Sequence, residues 1–194
     1  MIDYALTLKN SASKLRITVK GLVALGVIIS AVALPQIVHI ALGAPGGVQW
    51  LPMYLPVLIG GCLLGREWGL MAGALSPVVS FIITNAFGNP MPAAVRLPYM
   101  IAELAVFAFV AGSFSNLIMK NRWFAFPAVI SAQLIGRGIF LASAAIFQNF
   151  GGLKFAMVAG QVKTGLLGLA VQAVIVPLIV IALREIMLKD SKND

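Results

Sequence analysis

Residues 21–42 read GLVALGVIISAVALPQIVHIAL, a run with no carboxylate, lysine or arginine. A helix crossing the ~30 Å hydrocarbon core of a bilayer needs about 20 mostly apolar residues, and this stretch supplies them. Lys20 bounds it on one side. On the other, Gly43-Ala44-Pro45-Gly46-Gly47 reads as a turn by its glycine and proline content. Further apolar runs follow at about Leu51–Leu64, Trp68–Phe87, Pro98–Met119, Trp123–Phe147 and Phe155–Leu183. The second is short and holds Pro52 and Pro56, which predicts a kinked or tilted span. Backbone polar groups in lipid must be satisfied internally, so only helices or a closed barrel are open. The runs lack the alternation of barrel strands. The expectation is an all-α integral membrane protein of about six transmembrane helices, one domain over residues 1–194.

Composition agrees. Of 194 residues, 60% are hydrophobic and 10% charged, against roughly 25% charged in soluble domains, and mean hydropathy is +0.99. The net charge of +8 could point to nucleic acid, but no basic face with interleaved aromatics appears, so a nucleic-acid partner is not expected. The basic residues sit at the ends of the apolar runs. With the N-terminus inside, Lys9, Lys14, Arg16, Lys20, Arg66, Lys120, Arg122, Arg184, Lys189 and Lys192 are cytoplasmic, whereas Arg96 and Lys154 are outside. That bias predicts two cytoplasmic termini, with 1–20 a basic lead-in and 184–194 a tail. No removable signal peptide is visible. The single cysteine, Cys62, lies in an apolar run and reads as a small buried residue.

Catalytic patterns are missing. There is no phosphate-cradling Gly-Lys-Ser/Thr loop, no His-Glu-x-x-His or paired-cysteine metal motif, and no Gly-x-Ser-x-Gly. The reading is a protein without catalytic residues, metal or cofactor.

Three charged residues fall inside apolar runs: Glu103, Arg137 and Lys163. A charge near the bilayer centre costs at least ~2.5–3.5 kcal/mol on insertion scales, which makes each a functional candidate. At ~1.5 Å per residue they lie roughly 8, 15 and 12 Å below the outer helix ends. They therefore share the outer half of the last three helices, a placement that predicts a polar pocket open to the outside. Two cations face one anion, and Arg96 at the rim adds to the surplus, so an anionic ligand group is expected. Arg137 is assigned to Glu103, and Lys163 to the substrate. The plainer alternative is a buried ionic network that pins the helices together. Asn85, with Asn89, flanks the pocket end of the third span. Tyr54, Tyr99 and Trp50 are either interfacial anchors or an aromatic wall. His39 reads as an interfacial polar residue, and Gln133 and Gln172 as interhelical hydrogen-bonders. On the first span Gly26 and Ser30, four apart, mark a face that another helix could approach closely.

Leu51-Pro52-Met53-Tyr54-Leu55-Pro56-Val57-Leu58, followed by Gly61, Gly65 and Gly69, begins a pattern that Ser76-Pro77, Glu103-Leu104-Ala105 and Gly136-Arg137 continue over most of the chain. In this order and spacing the chain resembles the substrate-binding S components of energy-coupling factor (ECF) transporters, the vitamin importers of prokaryotes. The resemblance implies an S-component-like bundle in the plasma membrane that binds a water-soluble vitamin at its outer side. It implies as partners a membrane T component and two ATPase subunits, which drive delivery inward. The family's Ala-x-x-x-Ala docking pattern on the first helix has its nearest equivalent here in Gly26-Val27-Ile28-Ile29-Ser30. Surplus cations favour a pantothenate- or lipoate-like substrate. A neutral ring vitamin of B6 or hydroxymethylpyrimidine type, cobalamin, and a stand-alone small-solute transporter are the alternatives.

Overall fold

The computed structural model of the protein describes residues 1, 2, 6, 13–147 and 155–190. Its helices are α1 (Ser13–Trp50), α2 (Tyr54–Leu64), α3 (Arg66–Ala86), α4 (Leu97–Ser113), α5 (Ser115–Lys120), α6 (Ala125–Phe147) and α7 (Phe155–Asp190), with 3-10 turns at Ala94–Arg96 and Arg122–Phe124. No strand occurs among the described residues. Six stretches are long and apolar enough to cross a membrane: Leu15–Gly43, Pro45–Leu64, Arg66–Ala86, Ala94–Ser113, Arg122–Ile146 and Ala156–Lys189. The chain is thus an all-helical, multi-pass protein of membrane type. Lys9, Lys154 and Lys192, which enter the charge-asymmetry argument, lie outside the described residues, as do the loop 149–154 and parts of the two polar end segments.

The second span departs from the single kinked helix expected. Helical backbone breaks at Gly43 alone (φ 70°, ψ −175°) and resumes at once, because Pro45 suits a first helical turn. The span therefore starts within the segment read as a turn. It breaks again at Leu51-Pro52-Met53, where Leu51 adopts φ 49°, a left-handed conformation uncommon outside glycine. It resumes as α2. The fourth apolar run of the sequence is also interrupted, at Phe114 between α4 and α5.

The α2 half-helix is central. Over an apolar 18-residue stretch of the second span 56% of the residues are buried, against 11% in the first. Small residues let α2, α3 and α4 meet backbone to backbone. A Cβ on Gly61 would come 2.6 Å from the carbonyl oxygen of Ala108, and one on Gly73 would come 2.4 Å from that of Leu104. Outward faces are apolar, with Ile40, Leu134 and Ile146 strongly exposed, as a lipid-facing surface requires. At one end of the bundle Ile2, Leu64 and Ala72 pack in one cluster with Met187. There Arg184 donates to the carbonyls of Ile118 and Met119, both at 2.9 Å. The opposite end carries the broken second span and the segment between α3 and α4.

Candidate functional site

The site is built where α4 and α6 meet. Glu103 and Phe107 lie one turn apart on α4 and so share a face. On α6, Gly136 abuts Phe107 so closely that a Cβ there would lie 1.9 Å from Phe107 Cδ1. That approach brings the next residue, Arg137, against Glu103, with Nη1 2.9 Å from Oε1. Tyr54, the first residue of α2, donates its hydroxyl to the other carboxylate oxygen at 2.5 Å and sets its ring edge-on against Phe107, centroids 5.2 Å apart. The Arg137 guanidinium lies 5.0 Å from the centre of the Tyr54 ring and 5.8 Å from that of Phe140. Glu103 is fully buried and Arg137 is 8% exposed. Neither charge could persist there alone; together they form a close pair whose desolvation is offset by mutual attraction and by Tyr54.

The pairing leaves part of the guanidinium over. Arg137 Nε and Nη2 are buried and find no acceptor among the described residues. Glu103 Oε1 has the close Arg137 contact but no hydrogen bond of good geometry.

Arg137 also lines a cavity of about 350 Å³ at the end of the bundle away from the chain ends. Pro35 and His39 of α1 form one side. Gly47, Val48 and Leu51–Tyr54 bring the broken span to it, and Asn89–Ala93 and Arg96 the α3–α4 connection. Met100, Phe140 and Gln161 complete the lining from α4, α6 and α7. Irregular backbone at membrane depth is tolerated where it faces such a cavity or is otherwise satisfied.

Two devices hold these irregular walls. Gln172 of α7 donates from Nε2 to the carbonyls of Trp50 and Leu51, at 2.9 and 3.0 Å, and so caps the break. Gly168, one turn earlier, lets α7 touch it: a Cβ there would be 2.5 Å from the Gln49 carbonyl oxygen. Across the cavity, Met91 is pinned through both its backbone groups. Its N–H donates to Thr84 Oγ1 at 2.7 Å, and its carbonyl accepts from Ser80 Oγ at 2.7 Å. Arg96 is anchored by Gln161, whose amide oxygen, turned toward the guanidinium, accepts from Nη2 at 2.8 Å.

Of the residues singled out from the sequence, Tyr54, Arg96 and Arg137 line the cavity, and Glu103 stands behind Arg137. Tyr99 is buried beside Phe140 and Val158 and is not part of the lining. Asn85 is exposed, and Lys163 is exposed on α7; neither lines the cavity. Gln161 and Gly165 show why. Gln161 lines the cavity, and a Cβ on Gly165 would be 3.4 Å from Arg137 Nη2. These two share a helix face, and Lys163, two residues from each, points away from it. Gly26 and Ser30 are exposed, as a docking face requires. Apart from the small-residue spacing Gly165–Gly168 ahead of Gln172, nothing in the sequence alone singles out Met100, Phe140, Gln161, Gly165 or Gly168, and Gln172 reads there as an ordinary interhelical hydrogen-bonder. No family model, curated protein or solved structure matches the chain.

Proposed function

We propose that the protein is the substrate-binding S component of an ECF importer. In this reading it is a high-affinity binder for a water-soluble vitamin or related micronutrient in a prokaryotic plasma membrane, not an enzyme. It delivers its substrate inward with a membrane T component and two ATPase subunits. One observation carries the reading: at one end of a membrane-type bundle a cavity is lined by a buried arginine, and two of its nitrogens find no acceptor among the described residues. A buried donor left in that state costs about 1–3 kcal/mol, a cost that a bound solute removes.

Other features fit. The charge asymmetry favours cytoplasmic chain ends, and in that orientation the cavity opens outward. About 350 Å³ is near the lower bound of the ~300–1,000 Å³ of ligand pockets, which favours a vitamin of pantothenate or lipoate size over cobalamin. An apolar 18-residue stretch of the first span is 11% buried, and a Cβ on Gly26 would meet nothing within 4 Å among the described residues. Gly26 and Ser30 are therefore accessible to a T-component helix.

The test is uptake in vesicles containing this chain with its energising module. Inactivating the ATPases is expected to abolish uptake and leave binding by the isolated chain intact; full uptake by the chain alone would overturn the assignment. Orientation is checked in a Cys62→Ser background: Asn89→Cys is expected to react with an impermeant thiol reagent in intact cells and Asn121→Cys is not. The reverse pattern would contradict an outward cavity.

A further inference from the structure

We propose that the cavity selects a monoanionic carboxylate, gripped through both its oxygens by the Nε–Nη2 edge of Arg137. The proposal rests on the capture reading above and specifies the chemistry of the captured molecule.

A guanidinium presents parallel N–H groups along an edge, and a carboxylate accepts from two of them at once, a match lysine cannot make. In Arg137 the Nη1 group is committed to Glu103, whereas Nε and Nη2, which share one edge, are buried and have no acceptor among the described residues. The rings of Tyr54 and Phe140 flank the guanidinium, and Tyr54 fixes the carboxylate on its other side. These contacts hold the edge in place; its two nitrogens are covered by protein, so a carboxylate reaches them as the neighbouring side chains move aside.

The charge count then sets the valence. Glu103 balances Arg137. Arg96 faces the neutral Gln161 amide, and no aspartate or glutamate is among the residues lining the cavity. Among the described residues one positive charge is left over. A monoanion cancels it, a phosphate dianion leaves a net negative charge in a poorly solvated site, and a cation adds to the excess. The rest of the lining, including Pro35, Met53, Pro90 and Met100, is apolar and suits a ligand whose body is apolar or aromatic.

The experiment incubates the full-length chain in nanodiscs with a metabolite extract of the cells that make it. Retained small molecules are identified by mass spectrometry, and the dissociation constant of the retained molecule is compared with that of its carboxamide. The expected result is a molecule with one carboxylate, whose amide binds about ten- to a hundredfold more weakly. A retained molecule that is neutral, cationic or phosphorylated, or an amide that binds equally well, overturns the carboxylate proposal and leaves capture standing. Retention of nothing overturns capture and this proposal together. Arg137→Lys keeps the charge beside Glu103 and loses the fork. It is expected to lose the same ten- to hundredfold in affinity at an unchanged melting temperature, and parity with the parent would overturn the role of the edge. If this variant does not fold, the amide comparison decides alone.

Discussion

Arg137 and Lys163 come from adjacent helices and from similar depths. Arg137 on α6 is buried, paired with Glu103 at 2.9 Å and set against the cavity. Lys163 on α7 is exposed, on the side of its helix away from Gln161 and Gly165. The difference is one of facing, not of depth. A lysine on a lipid-facing surface can extend its flexible stem toward the headgroups and keep its charge hydrated. A guanidinium among Tyr54, Phe107 and Phe140 has no such exit and needs a carboxylate beside it. Depth in a bilayer identifies a costly residue; helix rotation decides whether the cost is met by protein or by water.

The largest expected effect comes from breaking the buried pair. Arg137→Met leaves Glu103 uncompensated, and loss of one partner of a buried pair typically costs about 3–5 kcal/mol. A matching fall in thermal stability in detergent is expected, with part of it recovered in the Arg137→Met/Glu103→Gln double variant. Additive losses in the double variant would show that the two charges do not support each other. Next comes the close approach that creates the pair. Gly136→Ala forces a methyl against Phe107, an overpacking that costs about 1–3 kcal/mol and should weaken ligand binding as Arg137 moves off Glu103. Unchanged binding would mean that the pair does not depend on this contact. Gln172→Leu removes two hydrogen bonds from the broken span, and about 1–3 kcal/mol of stability should go with them. Retained stability would show that the break is held by packing alone. Least is expected of Lys163→Met, whose stability should stay within about 0.5 kcal/mol of the parent, as for surface substitutions generally.

Much of this was legible in the sequence. The apolar runs gave the six spans, since their lengths and terminal charges have few other readings. Glu103 and Arg137 were expected to pair, because they are oppositely charged and share the outer half of neighbouring spans. Tyr54 and Arg96 were recognisable as residues of the same end. Lys163 was not separable from them, because the helical phase of α7 relative to α6 depends on which residues pack, and α7 has apolar residues on every side. The second break of the second span was hidden for a similar reason. Pro52 announces an interruption, but the partner that caps it, Gln172, is far away in sequence and could have bonded to any neighbouring helix. The use of Gly136 and Gly168 as contact points emerges only when Phe107 and the Gln49 carbonyl are seen to occupy the space a side chain would need.

In the proposed reading Arg137, and not Lys163, meets the captured solute. The most direct measurement is equilibrium binding of the molecule retained by the parent chain to three folded proteins side by side: parent, Lys163→Met and Arg137→Lys. Lys163→Met is expected to bind like the parent at low and high salt, and Arg137→Lys about ten- to a hundredfold more weakly. Loss of binding in Lys163→Met with parental affinity in Arg137→Lys would contradict that reading and move the site to the other face of α7.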